Sequence, residues 1–167
     1  MMNFDQAFDI LLGHEGGFTE DPRDPGNWTG GRVGAGELRG TKFGIAANTY
    51  PNEDIRNLTV DRAKAIYRRD FWDPVRADEL PAEVRYAVFD AAVNSGVRQA
   101  ARWLQRAVGV RDDGVIGPIT LGAVHAIDPQ VLLRRMLSAR LHFMTDLPTW
   151  PAFGRGWARR IADLMGA

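Results

Sequence analysis

Glu15 is the residue whose type and position point most directly to chemistry. It lies seven residues after Phe8, four after Leu11 and three after Leu12. On a continuing α-helix those offsets set its carboxyl on the face of the apolar stripe. A carboxylate there is poorly hydrated, and the partial negative charge at a helix C-terminus further opposes its ionisation. Both effects hold the proton near neutral pH, as a general acid requires, and a raised-pKa glutamate beside a cleft is how glycosidic bonds are broken. The competing reading is a glutamate facing solvent in a frayed last turn before Gly16-Gly17.

Such an acid usually works with a second group. An inverting site places a base roughly 6.5–9.5 Å away to activate water, and a retaining site places a nucleophile at about 5–5.5 Å. Glu20, Asp21, Asp24 and Glu37 follow in the sequence. Asp21 and Asp24 are the preferred candidates, because Pro22, Pro25 and Gly26 restrain the backbone around them. An Asx-turn role, each aspartate bonding its own loop, fits both equally well. Asp90 and Asn94 are four residues apart on one face of a helix. They can contact substrate, or hold the turn that carries Glu15. Among five tryptophans, Trp28 sits in a glycine-rich stretch rather than at helical spacing and is the candidate for stacking on a sugar.

Other chemistries are disfavoured. There are no cysteines, which excludes disulfides, thiolate metal sites and cysteine nucleophiles. The three histidines are scattered without a His-x-x-x-His pair, so no metal is expected. His14 can tune the neighbouring acid or simply face solvent. No Gly-x-Ser-x-Gly elbow is present. Asp112-Asp113-Gly114 lacks the downstream ligand of a calcium loop and reads as a tight turn. No cofactor is implied.

The elements that must position these residues are mostly helical. Phe4, Ala7, Phe8, Leu11 and Leu12 mark one buried stripe, with Gly16-Gly17 expected to stop the helix. From Phe18 to Gly44 recurrent glycine, with Pro22 and Pro25, predicts an irregular or β-hairpin lobe anchored by Trp28, Val33, Leu38 and Phe43. Thr59 reads as the N-cap of a helix through Ala63, Ile66 and Tyr67 that ends near Trp72-Asp73-Pro74. Pro81 reads as a first helical residue ahead of Val84, Val88, Ala91 and Ala92, up to Gly96. Further stripes run from Ala100 to Val108 before Gly109, from Pro118, from Leu132 to Met144, and from Trp150 to Leu164. The fold class is mainly α, with a small β or irregular lobe near the N-terminus.

Composition sets the outer bounds. The 167 residues, 45% hydrophobic and 25% charged with zero formal net charge, fit a soluble chain with a real core and argue against nucleic-acid binding. Acids outnumber bases before residue 40, and arginines outnumber acids after residue 130. That asymmetry suits a site for neutral sugar beside a surface drawn to an anionic polymer, or a tail of solvated helix faces. No run approaches the ~20 apolar residues of a membrane span, and no export signal is visible.

Read together, the motifs resemble a known family. His14-Glu15-Gly16-Gly17-Phe18, Asp21-Pro22-Arg23-Asp24-Pro25-Gly26 and Thr41-Lys42-Phe43-Gly44-Ile45 follow in order. So do Phe71-Trp72-Asp73-Pro74, Phe89 to Gly96, Leu104 to Gly109 and Asp113 to Thr120. This series, from about residue 5 to residue 165, is similar to glycoside hydrolase family 108, the lysozyme-like N-acetylmuramidases of phages and prophages. The resemblance implies a lysozyme-like helical fold with Glu15 as catalytic acid. It also implies a catalytic region over 1–99 and, over 100–167, a region like a predicted peptidoglycan-binding module, packed as one compact unit. Thr41 would hold the attacking water by its hydroxyl, as in phage-type lysozymes, or serve as an ordinary turn residue. Where family members often pass from the aspartate motif to the Thr-x-x-Gly-Ile motif in a few residues, this chain inserts Asn27 to Gly40, at the cleft rim.

The implied function is cleavage of the β-1,4 bond between N-acetylmuramic acid and N-acetylglucosamine, with peptidoglycan glycan strands as partner and a monomeric enzyme. A phage endolysin made in the host cytoplasm without a signal peptide, and acting in the periplasm or cell wall after holin-mediated release, is the expected setting. Two alternatives stand beside it: a lytic transglycosylase, and a non-catalytic wall-binding or secretion-helper protein.

Overall fold

A computed structural model describes residues 1–13 and 16–166. His14 and Glu15 lie outside the described residues, and with them the principal catalytic candidate. The described chain is mainly α, with seven α-helices and one two-stranded sheet. It forms two compact units, Asp5–Arg68 and, together with Met1–Phe4, the chain from Arg69 onward. Within the second of these units the helix over Val97–Val108 packs on the helices on either side of it in sequence.

In the smaller unit, α1 (Phe4–Leu12) buries Ala7 and Phe8. It stops at Gly13, whose φ is 55° and whose N–H donates to the Asp9 carbonyl at 3.0 Å. The stop therefore comes earlier than Gly16-Gly17: the first glycine reached takes the left-handed closing conformation. The helical phase shared by Phe8, Leu11 and Leu12 ends there. Glycines and prolines then keep the chain irregular up to a hairpin, β1 (Thr41–Lys42) paired with β2 (Ile45–Ala46), Thr41 opposite Ala46 and Lys42 opposite Ile45. Its two turn residues, Phe43 and Gly44, have φ of 51° and 73°, the left-handed pair that matches the twist of two-residue hairpins. α2 (Val60–Tyr67) begins at Thr59, whose hydroxyl accepts the Arg62 N–H at 3.1 Å, as the capping pattern predicts. Val33, expected as an anchor of the lobe, is exposed; Ile45, Ala47, Ile55, Leu58 and Ile66 form the buried set instead.

A π-helical turn, Arg68–Trp72, leads into the larger unit. Pro81 is the N-cap rather than the first residue of α3 (Ala82–Ser95); its fixed φ serves either position. α4 (Val97–Val108) ends at Gly109 in the left-handed region, and α5 (Pro118–His125) starts on its proline. α6 (Pro129–Thr145) and α7 (Trp150–Gly166) follow. α3 packs on α4 and α6, α4 on α6, and α6 on α7. Phe4, Trp72 and Phe89 meet edge to face with centroids 5.4–6.0 Å apart, and the Trp72 indole N–H donates to Asp78 at 3.0 Å. The Asp113 turn is held from inside. Gln105, 1% exposed, donates to Asp113 Oδ1 at 2.8 Å and accepts the Gly114 N–H at 2.9 Å. No helix of the described residues is long and apolar enough to cross a membrane.

The core of this unit contains an ion pair. Asp90 Oδ2 accepts from Arg140 Nη1 at 2.6 Å, with side chains 1% and 3% exposed. Removing either partner strands a charge in a medium that hydrates it poorly. Arg140→Ala is expected to lower unfolding free energy by about 3–5 kcal/mol. The double change Asp90→Leu with Arg140→Met should recover most of that loss, read as urea midpoints of the single and double variants.

Candidate active site

The chain leaving the Glu15 motif is locked to the hairpin. Thr19 and Thr41 exchange both backbone hydrogen bonds, at 2.9 and 2.8 Å, so Thr41 stands opposite the residue four positions after Glu15 in the sequence. Two close approaches permit this. A side chain at Gly40, where φ is 86°, would collide with the Thr19 carbonyl. One at Gly44 would collide with the Tyr67 hydroxyl, which donates to the Phe43 carbonyl at 2.9 Å. A side chain at Gly16 would press on the Phe43 ring. A phenylalanine at positive φ is uncommon, and the Tyr67 bond holds it there.

Behind Thr41 stands Asn27, the first residue of the insertion, which sequence reading passed over. It is 1% exposed. Its Oδ1 accepts from the Thr41 hydroxyl at 2.7 Å, and its Nδ2 donates to the Asp21 carbonyl at 3.1 Å. Since the Thr41 proton is committed to Asn27, the hydroxyl can only accept from a further partner. A water that donates to Thr41 turns its own lone pairs elsewhere, the arrangement a nucleophilic water needs.

The acids of the lobe differ in what they can still do. Asp21 is held by Arg23 through Nε at 3.0 Å and Nη2 at 2.8 Å and accepts the Arg23 N–H at 2.9 Å. Those bonds hold its carboxyl below the usual aspartate range, the side-chain bond first and the backbone bond second, which weakens it as a base. Glu20 pairs with Arg56 at 2.7 Å and Glu37 with Arg39 at 2.6 Å. Asp24 has no arginine partner among the described residues. Its Oδ1 accepts the Gly26 N–H at 2.8 Å, capping the 3-10 turn Pro25–Asn27. Both aspartates thus make Asx turns, and among the described residues Asp24 is the one of the four with no arginine on its carboxylate. Trp28 is half-buried, bridged to Leu38, with its indole N–H on the Pro22 carbonyl at 2.9 Å.

Asp90 and Asn94 belong to the other compact unit. Asp90 is in the buried pair with Arg140, with Arg160 Nε at 3.6 Å. Asn94 accepts from Arg160 at 2.5 Å and donates to the Asp90 carbonyl at 2.7 Å. Among the described residues no cluster of His, Asp and Glu is gathered as a metal site. Sequence reading passed over Arg140, although it follows Met136 by four residues and precedes Met144 by four, on the apolar stripe of α6.

Burial pushes the Tyr67 phenol up to about 12, and burial followed by the charge of Asp90 does the same for Tyr86. The folded state favours the neutral phenol. This stability is therefore whole below pH ~10, the ordinary tyrosine value, and is lost as pH rises toward about 12. Absorbance titration should show two of the three tyrosines ionising late, one of them disappearing in Tyr67→Phe, with denaturation setting in over the same interval.

The profile of the glycosyl hydrolase 108 family matches residues 8–96, and that of a predicted peptidoglycan domain matches residues 99–162. No curated protein matches the chain. Among solved structures, SagA of Brucella abortus is 33% identical and superposes with a TM-score of 0.81, covering 98% of this chain and 91% of that one. With the hydrolase profile spanning more than half of the sequence and a peptidoglycan domain directly after it, this chain belongs to glycosyl hydrolase family 108 and is a peptidoglycan hydrolase.

Proposed function

We propose that the enzyme is an N-acetylmuramidase that hydrolyses the β-1,4 bond between N-acetylmuramic acid and N-acetylglucosamine, with Glu15 as the general acid that protonates the leaving oxygen. The observation that carries this reading is the Thr41 hydroxyl, its proton fixed on buried Asn27 and its strand paired with the segment leaving the Glu15 motif. A site that holds a water favours hydrolysis over the water-free transglycosylase route. Asp24 takes the proton from that water, because Asp21, Glu20 and Glu37 are each engaged by an arginine. Trp28 offers a half-buried ring to a sugar face. The region over 1–99 cleaves, and that over 100–167 engages the wall.

The setting that suits this chemistry is a phage endolysin. It is a monomer made in the host cytoplasm and released through a holin to the wall. It has no nucleic-acid partner, cofactor or membrane insertion.

Glu15→Gln should reduce wall clearing by orders of magnitude while melting temperature and wall binding persist. Clearing at the wild-type rate would refute the catalytic role and favour a wall-binding protein. Mass spectrometry of wild-type products should show reducing-end muramic acid; products one water lighter would mean transglycosylation.

Thr41→Val is expected to slow clearing about 10²-fold, the scale of a misplaced reactant, and Thr41→Ser to restore most of it. The same valine leaves Asn27 Oδ1 without its donor, lowering stability by about 1–3 kcal/mol. Asp24→Asn should slow clearing far more than Asp21→Asn. Equal rates for the two variants would remove Asp24 as the base.

A further inference from the structure

The larger unit contains a cavity of about 130 Å³ between α3, α6 and α7, lined by Asn94, Ser95, Arg140, Trp157, Arg160 and apolar Phe143, Met144 and Leu147. Its polar wall is rich in donors. Arg140, 3% exposed, gives Nη1 to Asp90, while its Nε is buried with no hydrogen-bond partner among the described residues. A buried guanidinium N–H left unpaired is costly and calls for an acceptor. Arg160 stands at the same place, on Asn94 Oδ1 at 2.5 Å and 3.6 Å from Asp90 Oδ1. Two arginines meet the carboxylate of Asp90 here, Arg140 buried and Arg160 41% exposed, and Asp90 Oδ1 is itself buried with no hydrogen-bond partner among the described residues. The rest of the lining includes Phe143, Met144, Leu147 and Trp157, which suit an apolar group. The volume is too small for a sugar ring with its substituents and large enough for a carboxylate carrying a methyl.

We propose that this cavity binds a small methyl-bearing carboxylate of peptidoglycan, its oxygens on Arg140 and Arg160 and its methyl against the Trp157 wall. Peptidoglycan offers that chemistry twice. One source is the lactyl group of a muramic acid without a stem peptide, and the other is the terminal D-alanine of an intact stem. The identity of the carboxylate rests on the chain being a peptidoglycan hydrolase; the cavity and its charge do not depend on Glu15. The site would let the enzyme sense whether the glycan it holds is stripped or peptide-bearing.

The test is an NMR titration of the full-length protein, following the Arg140 Nε–H resonance. The probes are N-acetylmuramic acid, N-acetylglucosamine and a pentapeptide ending in D-Ala-D-Ala. None contains the scissile bond, so the result is independent of whether the muramidase reading stands. A saturable shift with N-acetylmuramic acid and none with N-acetylglucosamine supports the lactyl source. The same shift with the pentapeptide alone supports the stem source. Arg160→Gln, which keeps a donor for Asn94 but removes the charge, should weaken the effective probe about tenfold or more, with its fold checked by melting. Equal shifts with N-acetylglucosamine would overturn carboxylate recognition in favour of the acetamido group, and no shift with any probe would overturn the site. The resonance is read in wild type, so the outcome holds even if Arg160→Gln fails to fold.

Discussion

The smaller unit is organised around one buried amide. Asn27 makes a bond with each polar group it has. Its N–H goes to the Asp24 carbonyl, its carbonyl accepts from both Arg39 and Gly40, its Nδ2 goes to Asp21 and its Oδ1 accepts from Thr41. An amide taken out of water without those partners is expensive, so the three segments it touches can adopt few other arrangements. The aspartate loop, the neck of the insertion and the first hairpin strand are thereby set in one geometry. Thr41 inherits its hydroxyl orientation from that network rather than from its own rotamer.

The larger unit solves a related problem with charge. Asp90 and Arg140 sit within a helical core, satisfied by each other on one side and incompletely on the other. Such a pair contributes less to stability than its short distance suggests, because both ions were dehydrated to make it. It does leave a guanidinium group fixed at the wall of a cavity. Gln105 plays a quieter part, joining α4 to the Asp113 turn and α5 through Asp113, Gly114, Val115 and Thr120.

Most helices were legible because each carries both a stripe and a stop. Thr59, Gly109 and Pro118 fall at the ends where residue type alone puts them. Two ends were missed for physical reasons. Gly13 closes α1 although the Gly16-Gly17 pair looks like the stronger breaker, since a single glycine in the left-handed conformation is enough to end a helix. Proline suits the N-cap and the first helical turn alike, hence the one-residue offset at Pro81. Within the candidate site, the local bonds of Asp21 and Asp24 were readable, because Asx turns depend on neighbours two residues away. Asn27 with Thr41 was not, nor Asp90 with Arg140, which pair across 14 and 50 positions. Residue type proposes such partners and only the fold chooses among them.

The insertion has a further consequence for how this family can vary. Its two ends are stitched together at the base: Trp28 bridges Leu38, Thr29 donates to Glu37, and Arg39 and Gly40 both donate to Asn27. What lies beyond that seam is a closed loop whose length the rest of the lobe does not feel. Doubling such a loop adds only about 0.6 kcal/mol of closure entropy. Descendants of this sequence are therefore free to lengthen, trim or recolour the tip without disturbing the backbone bonds that join Trp28, Thr29 and Asn27 to the returning strand.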